Sequence, residues 1–317
     1  EEESRLTARY TALLASAAFD FDGRTVNLSG LAPFAEDPNR AIRHRAETLR
    51  WRFFAENGDE LDSIYGQLVA LRHKMATTLG FESFVPLAYK RMRRTDYGPE
   101  DVARFRDNIR AHIVPLVARI MERRRRDNGW DRLQFWDESF IDPLGNPKPA
   151  GDHDFLLTQA RTMFDRMHPA LGAFFRTMDD GGFMDLKNRP AKAGGGFCTT
   201  FSTVGMPFIF ANFTGTHHDI GVFTHEIGHA FQAWESRTLP GLDYLWPTME
   251  AAEIDSMSLE FLTYPHIGLM VGDDAADRFR RMHTIAALAR QGVFSGLDAD
   301  APWRDYADKL NAAVNGK

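Results

Sequence analysis

The sequence predicts a mainly helical fold with one small β segment, and three observations carry that prediction. Apolar residues recur at three- and four-residue steps from Pro38 to Gly80 and again from Gly98 to Arg126. Paired runs rich in aromatic and β-branched residues occur between Phe197 and Phe213, joined at Val204–Gly205. Directly after them, FTHEIGHAFQ (Phe223–Gln232) returns to helical spacing with apolar residues on most sides.

The elements follow in order. In the first long stretch Ala41, Leu49, Phe53, Leu61, Ile64, Leu68, Leu71 and Met75 mark one face. Asp37–Pro38 reads as its start and Gly80 as its stop. In the second, Pro99 opens the helix, and Val102, Phe105, Ile109, Ile113, Val117 and Ile120 share a face. Pro115 falls inside that pattern, so a kink or break is expected there. FIDPLGNPKPAGDHD is irregular and reads as a surface excursion, because helical periodicity resumes at once in DFLLTQARTMFDRMHPALGAFF. The β runs Phe197–Thr203 and Pro207–Phe213 fit a hairpin. After FTHEIGHAFQ, the connection RTLPGLDYLWPT leads to a further helix, MEAAEIDSMSLEFL.

The chain has 317 residues, 44% hydrophobic and 26% charged, which is ordinary globular composition. Net charge is −6 with both signs mixed, so nothing global points to nucleic acid. RMRR (91–94) and RRRR (123–126) read as solvated helix ends. No apolar run is long enough to span a bilayer. The acidic start lacks the basic-then-apolar pattern of a secretory signal, and lacks an initiator methionine, so it reads as an internal start. One cysteine, Cys198, suits a reducing, cytoplasmic compartment, and within an apolar β run it reads as a structural thiol. His217 and His218 read as loop residues ahead of the motif helix.

His225 and His229 are four apart and therefore lie on one helix face, one turn from each other. That separation lets both imidazoles reach one zinc ion. Glu226 sits about 100° further round, placed to flank a metal and take a proton from its water. The plain alternative is two solvated histidines on a polar face. The flanking Ile220, Val222, Phe223, Ile227, Ala230, Phe231 and Trp234 argue against it, since buried imidazoles and carboxylates need partners. Gly228 costs a helix interior about 1 kcal/mol against alanine. Its use there suggests that another backbone presses on this helix.

An open zinc site needs a third protein ligand. Among Glu250, Glu253, Asp255 and Glu260, only Glu253 and Glu260 share an inward face with Met249, Ala252, Ser256 and Leu259. Glu250 suits the helix start, where an acid favours the dipole, and Asp255 points away from Glu253. Glu253 is the expected third ligand. Glu260 is a candidate acceptor for a ligating histidine, the alternative being a surface or ion-paired acid.

With these residues in place, HEIGH (225–229) followed by EIDSMSLE (253–260) resembles the thimet oligopeptidase and oligoendopeptidase F family of zinc metallopeptidases. In that family a Glu-x-x-Ser-x-x-x-Glu helix supplies the third zinc ligand through its first glutamate. That glutamate falls on Glu253 here, and Ser256 and Glu260 complete the pattern. AGGGFCTTF (193–201), PFIFANFTGT (207–216) and DPNRAIRHRAETLRW (37–51) are similar to the family's β segment and helical lead-in, so the resemblance runs over residues 35–285.

The resemblance implies an elongated helical metallopeptidase fold with a deep channel. Residues 1–35 would end an N-terminal helical region, and 36–317 would form a catalytic domain incomplete at its C-terminus. It implies one Zn²⁺ held by His225, His229 and Glu253, with Glu226 as general base. Substrates would be short unstructured peptides cut internally, with no nucleic-acid or membrane partner. Family members carry substrate-binding tyrosine and histidine side chains beyond the third ligand. The tail after Ala289 shows no such pattern, and its Tyr306 stands alone. A fragment or shortened member is therefore expected, and a non-catalytic zinc-binding scaffold is the rival reading.

Overall fold

A computed structural model describes residues 1–201 and 203–295. Tyr306 and the tail around it lie outside the described residues. The protein is mainly helical. Its contacts divide it into two compact units: Glu1–Arg24, Phe34–Gly145 and the described residues 282–295 form one, and Thr25–Pro33 with Asn146–Arg281 form the other. The chain thus passes from the first unit to the second inside the proline-rich loop that the sequence suggested was a surface excursion.

The first unit is built from helices. The expected single helix over residues 38–80 is two, Arg40–Glu56 and Gly58–Thr78. They meet at Asn57, whose backbone leaves the helical region and whose side-chain amide donates to the Phe53 carbonyl. Asn57–Gly58 is a turn dipeptide that periodicity alone passes over. The start is set by Asn39, whose side chain accepts from the Ala41 amide, while Asp37 accepts from Asn39. At the far end Gly80 adopts φ +79°, and the Phe81 amide reaches back to the Ala76 carbonyl.

The buried side of the first of these helices is Arg43, Ala46 and Glu47, and Ala41 is exposed. Arg43 is fully buried and donates to Asp137 Oδ1 at 2.9 Å and to the Asp37 and Pro38 carbonyls. Arg40 takes the other oxygen of the same buried carboxylate at 2.6 Å. A charge in this position is held because it is paired.

Pro115 has no amide to offer the Ala111 carbonyl and its ring crowds that oxygen. The chain responds with a π turn, Ile109–Ile113, between the helices Pro99–Asn108 and Val114–Asp127. Ile109 is buried, whereas Phe105, expected on the same inward face, is exposed. The RRRR run is only partly solvated. Arg124 is buried and donates to the Glu138 carbonyl, while Arg125 pairs with Glu122.

The second unit places the site. Helices His153–Met167 and Pro169–Asp180 are separated by the extended His168, as the following proline requires. Their Phe164, Phe174 and Phe175 are buried, and Phe164 and Phe175 pack their rings on Phe223. The expected hairpin is present as Phe197–Phe201 antiparallel to Met206–Phe213, with Gly205 at φ +68° in the turn. A third strand, Met184–Lys187, pairs in parallel with the other side of Met206–Phe213, so the longest strand is central. Lys192, buried behind this sheet, donates to the carbonyls of Asp185, Lys187 and Ala211 and to the Asp185 carboxylate.

Two further helices of the unit carry the motifs, His217–Ser236 with HEIGH and Met249–Leu262 with Glu253. Among the described residues no helix is long and apolar enough to cross a membrane.

Candidate metal centre

The motif helix begins at Thr216, and its start is fixed by Asp219. Asp219 Oδ2 accepts from the backbone amides of Thr214, Gly215 and Thr216, closing a capping box. His217 and His218 therefore occupy the first helical turn rather than a loop; His217 is half-buried and His218 exposed. From this anchored start the helix runs through a buried stretch, Phe223 to Ala230, broken in burial only by His225.

Helical spacing sets His225 and His229 side by side, their ring centroids 4.9 Å apart. The neighbouring helix brings Glu253 to them. Its Oε2 is 3.2 Å from His225 Nε2 and 3.8 Å from His229 Nε2. One donor atom from each of these three residues lies within 4.8 Å of the others. The helices approach this closely because of Gly228. A Cβ there would stand 2.6 Å from Ser256 Cα and 2.9 Å from the Asp255 carbonyl oxygen, both backbone atoms that cannot yield. The glycine is the contact point of the two helices, as the sequence suggested.

Glu260 is buried and accepts a hydrogen bond from His225 Nδ1 at 2.6 Å. This bond commits Nε2 to face Glu253. Burial pulls the His225 pKa down, but the Glu260 hydrogen bond and the surrounding carboxylates outweigh it, and the net shift is upward. His229 is shifted downward by burial and by the charge of His225. Trp246 lies against His229, with ring centroids 6.0 Å apart.

Glu226 is buried, and its Oε2 has no hydrogen-bond partner among the described residues. Burial pushes its pKa up to about 7, helped by Glu253 and Glu260 and opposed by His225. A lone carboxylate oxygen in such a place needs a proton, a water or a substrate group. Gly196 lies against it, for a Cβ there would meet Val222 at 2.9 Å and Glu226 Oε1 at 3.6 Å. Cys198 is not a nucleophile in this setting, since burial and the Glu226 charge push its thiol up to about 12.

Two nitrogens and a carboxylate oxygen converging on one point are a donor set that zinc accepts. Glu226 is outside the set and beside it. The residues present therefore fit a zinc ion with an open position. The structure brings His225, His229 and Glu253 together, with Glu226 beside them. The contacts of Gly196 and Trp246 depend on the hairpin and on an irregular connection, which periodicity does not report; the AGGGF glycines are the available signal for the first.

This fold and donor set suit a metallopeptidase, and comparison with known proteins gives the family. The description of peptidase family M3 matches residues 34–145 and 174–269. The chain belongs to peptidase family M3, a family of zinc metallopeptidases. Among solved structures it is similar to PZ peptidase A with an inhibitor, at 42% identity and a TM-score of 0.92 over 99% of this chain and 55% of that one. It is similar to a structure described as an oligoendopeptidase F, at 42% identity and a TM-score of 0.90, over 99% of this chain and 58% of the other. A third, described as an oligoendopeptidase F from Bacillus anthracis, gives 40% identity and a TM-score of 0.91, covering 99% and 59%. The chain thus spans 55–59% of the length of these relatives. No match is found among curated proteins.

Proposed function

We propose that this protein is a zinc metalloendopeptidase that hydrolyses internal bonds of short unstructured peptides, with His225, His229 and Glu253 as ligands of one zinc ion and Glu226 as general base. The observation that carries this reading is the convergence of the three donors beside a buried carboxylate with one unpartnered oxygen. The substrate class is taken from the relatives described as peptidase and oligoendopeptidase. A reducing, cytoplasmic setting is proposed from the single cysteine.

Zinc, when bound, supplies Lewis acidity, which favours ionisation of water near neutral pH and polarises a carbonyl. The chain's own residues do the rest. Glu260 holds His225 in the tautomer that ligates through Nε2. Glu226, with its affinity for a proton raised by burial, removes a proton from the attacking water and returns it to the leaving nitrogen. Phe223 and Ile227 on the same helix are buried and anchor it in the core.

The test is metal analysis of the 317-residue chain together with cleavage of a quenched fluorogenic peptide, with and without a chelator. One zinc per chain and chelator-sensitive cleavage are expected. One zinc without turnover would favour the scaffold reading, and absence of zinc binding would remove both.

A further inference from the structure

We propose that Ser256 is a positioning residue for the metal, fixing the carboxylate of Glu253 toward the histidine pair. The role rests on the zinc reading above. Ser256 is fully buried, and its Oγ donates to Glu253 Oε2 at 3.0 Å. That is the same oxygen that faces both imidazole Nε2 atoms.

Glu253 needs such a restraint more than the histidines do. Its side chain is 44% exposed, against 24% for His225 and 10% for His229. A half-exposed glutamate keeps several rotamers, and ordering it carries a side-chain entropy cost. The Ser256 hydroxyl meets part of that cost before any ion arrives. Ser256 Cα is the atom that a Cβ on residue 228 would strike at 2.6 Å, so the seryl backbone lies directly against the motif helix.

The result is a division of labour on one helix. Glu253 is the ligand, Ser256 three residues on holds Glu253, and Glu260 seven residues on holds His225. The competing role for the hydroxyl is local: Oγ also lies 3.2 Å from the Glu253 carbonyl oxygen, a back-bond common in helices. A back-bond alone would leave metal affinity untouched.

The experiment measures zinc affinity of the full chain by chelator competition for wild type and Ser256→Ala, with thermal unfolding of the zinc-free proteins and the visible spectrum of the Co²⁺ forms alongside. The expected result is a zinc dissociation constant raised about 10–100-fold, a changed Co²⁺ spectrum, and an unaltered zinc-free unfolding midpoint. Ser256→Cys, which keeps the branch but donates weakly, should fall between, and carries the same test if the alanine variant does not fold. Equal zinc affinity in wild type and variants would overturn the proposal while leaving the zinc reading intact. So would a loss of affinity matched by a parallel loss of zinc-free stability, which is the mark of a packing role. A wild type that binds no zinc would remove the zinc reading, and this proposal with it.

Discussion

Gly228 on the motif helix lies against the backbone of Ser256 on the neighbouring helix, so closely that a Cβ would stand 2.6 Å from Ser256 Cα. This contact sets how far Glu253 is from His225 and His229. Gly228→Ala should raise the local helix propensity by about 1 kcal/mol. It should nevertheless destabilise the protein, since the obstructing atoms are backbone and the helices must part, at a cost of about 1–3 kcal/mol. Denaturant unfolding would show the loss, and zinc affinity should fall with it. A variant more stable than wild type would show that the helices are not in contact there.

Glu226→Gln keeps the size of the side chain and removes its capacity to accept a proton. Zinc binding should persist, because Glu226 is outside the donor set. Peptide cleavage should fall by about 10²–10⁴-fold, the usual contribution of a positioned general base. Zinc content with turnover of a quenched peptide checks both halves, and wild-type turnover would rule Glu226 out as the base.

Glu260→Ala removes the acceptor that holds His225 Nδ1 at 2.6 Å. The ring is then free to rotate or change tautomer, and zinc affinity should drop about 10–100-fold. Glu260→Gln, which still offers an oxygen to the Nδ1 proton, should lose less. Chelator competition on the two variants separates loss of orientation from loss of charge.

Much of the fold and site could be read from particular residues. The spacing of His225 and His229 needs only helical geometry, and Glu253 is separated from Glu250 and Asp255 by helix periodicity. Gly228 is legible because it breaks a local rule. Three features were present as signals and outweighed by others: Asn57–Gly58 within a continuous apolar pattern, the Thr216/Asp219 capping box before His217, and Met249, expected inward but exposed at the helix start. Others carry no local signal. Met184–Lys187 is four residues long with two charges, and only the central strand makes it a strand. Arg43 is buried because a partner distant in sequence, Asp137, receives it, and the buried Arg124 donates to the Glu138 carbonyl. Periodicity reports which side of a helix is apolar; it cannot report a charge whose partner arrives from another segment.

The Asp185 cluster gives a pH prediction. Its carboxyl is held at about 2, against an ordinary 3.8, by hydrogen bonds from Arg189 first, with burial opposing and Lys192 assisting. Lys192 does not share the benefit, for burial removes more than Asp185 returns and its own pKa is lowered. The acid limb is therefore the one to follow. A carboxylate whose folded pKa lies below its unfolded value stabilises the protein above the unfolded pKa. That stability is lost as pH falls from about 4 toward 2. Because Asp185 is partly solvated, screening reduces the contribution to about 1 kcal/mol. Asp185→Asn should be less stable than wild type at neutral pH by about that amount, and the gap should close as the pH is lowered through this window. Urea unfolding of the two proteins at pH 7, 4 and 2.5 measures it; a gap that stayed constant with pH would mean that the cluster acts through packing and hydrogen bonds rather than through the charge of Asp185.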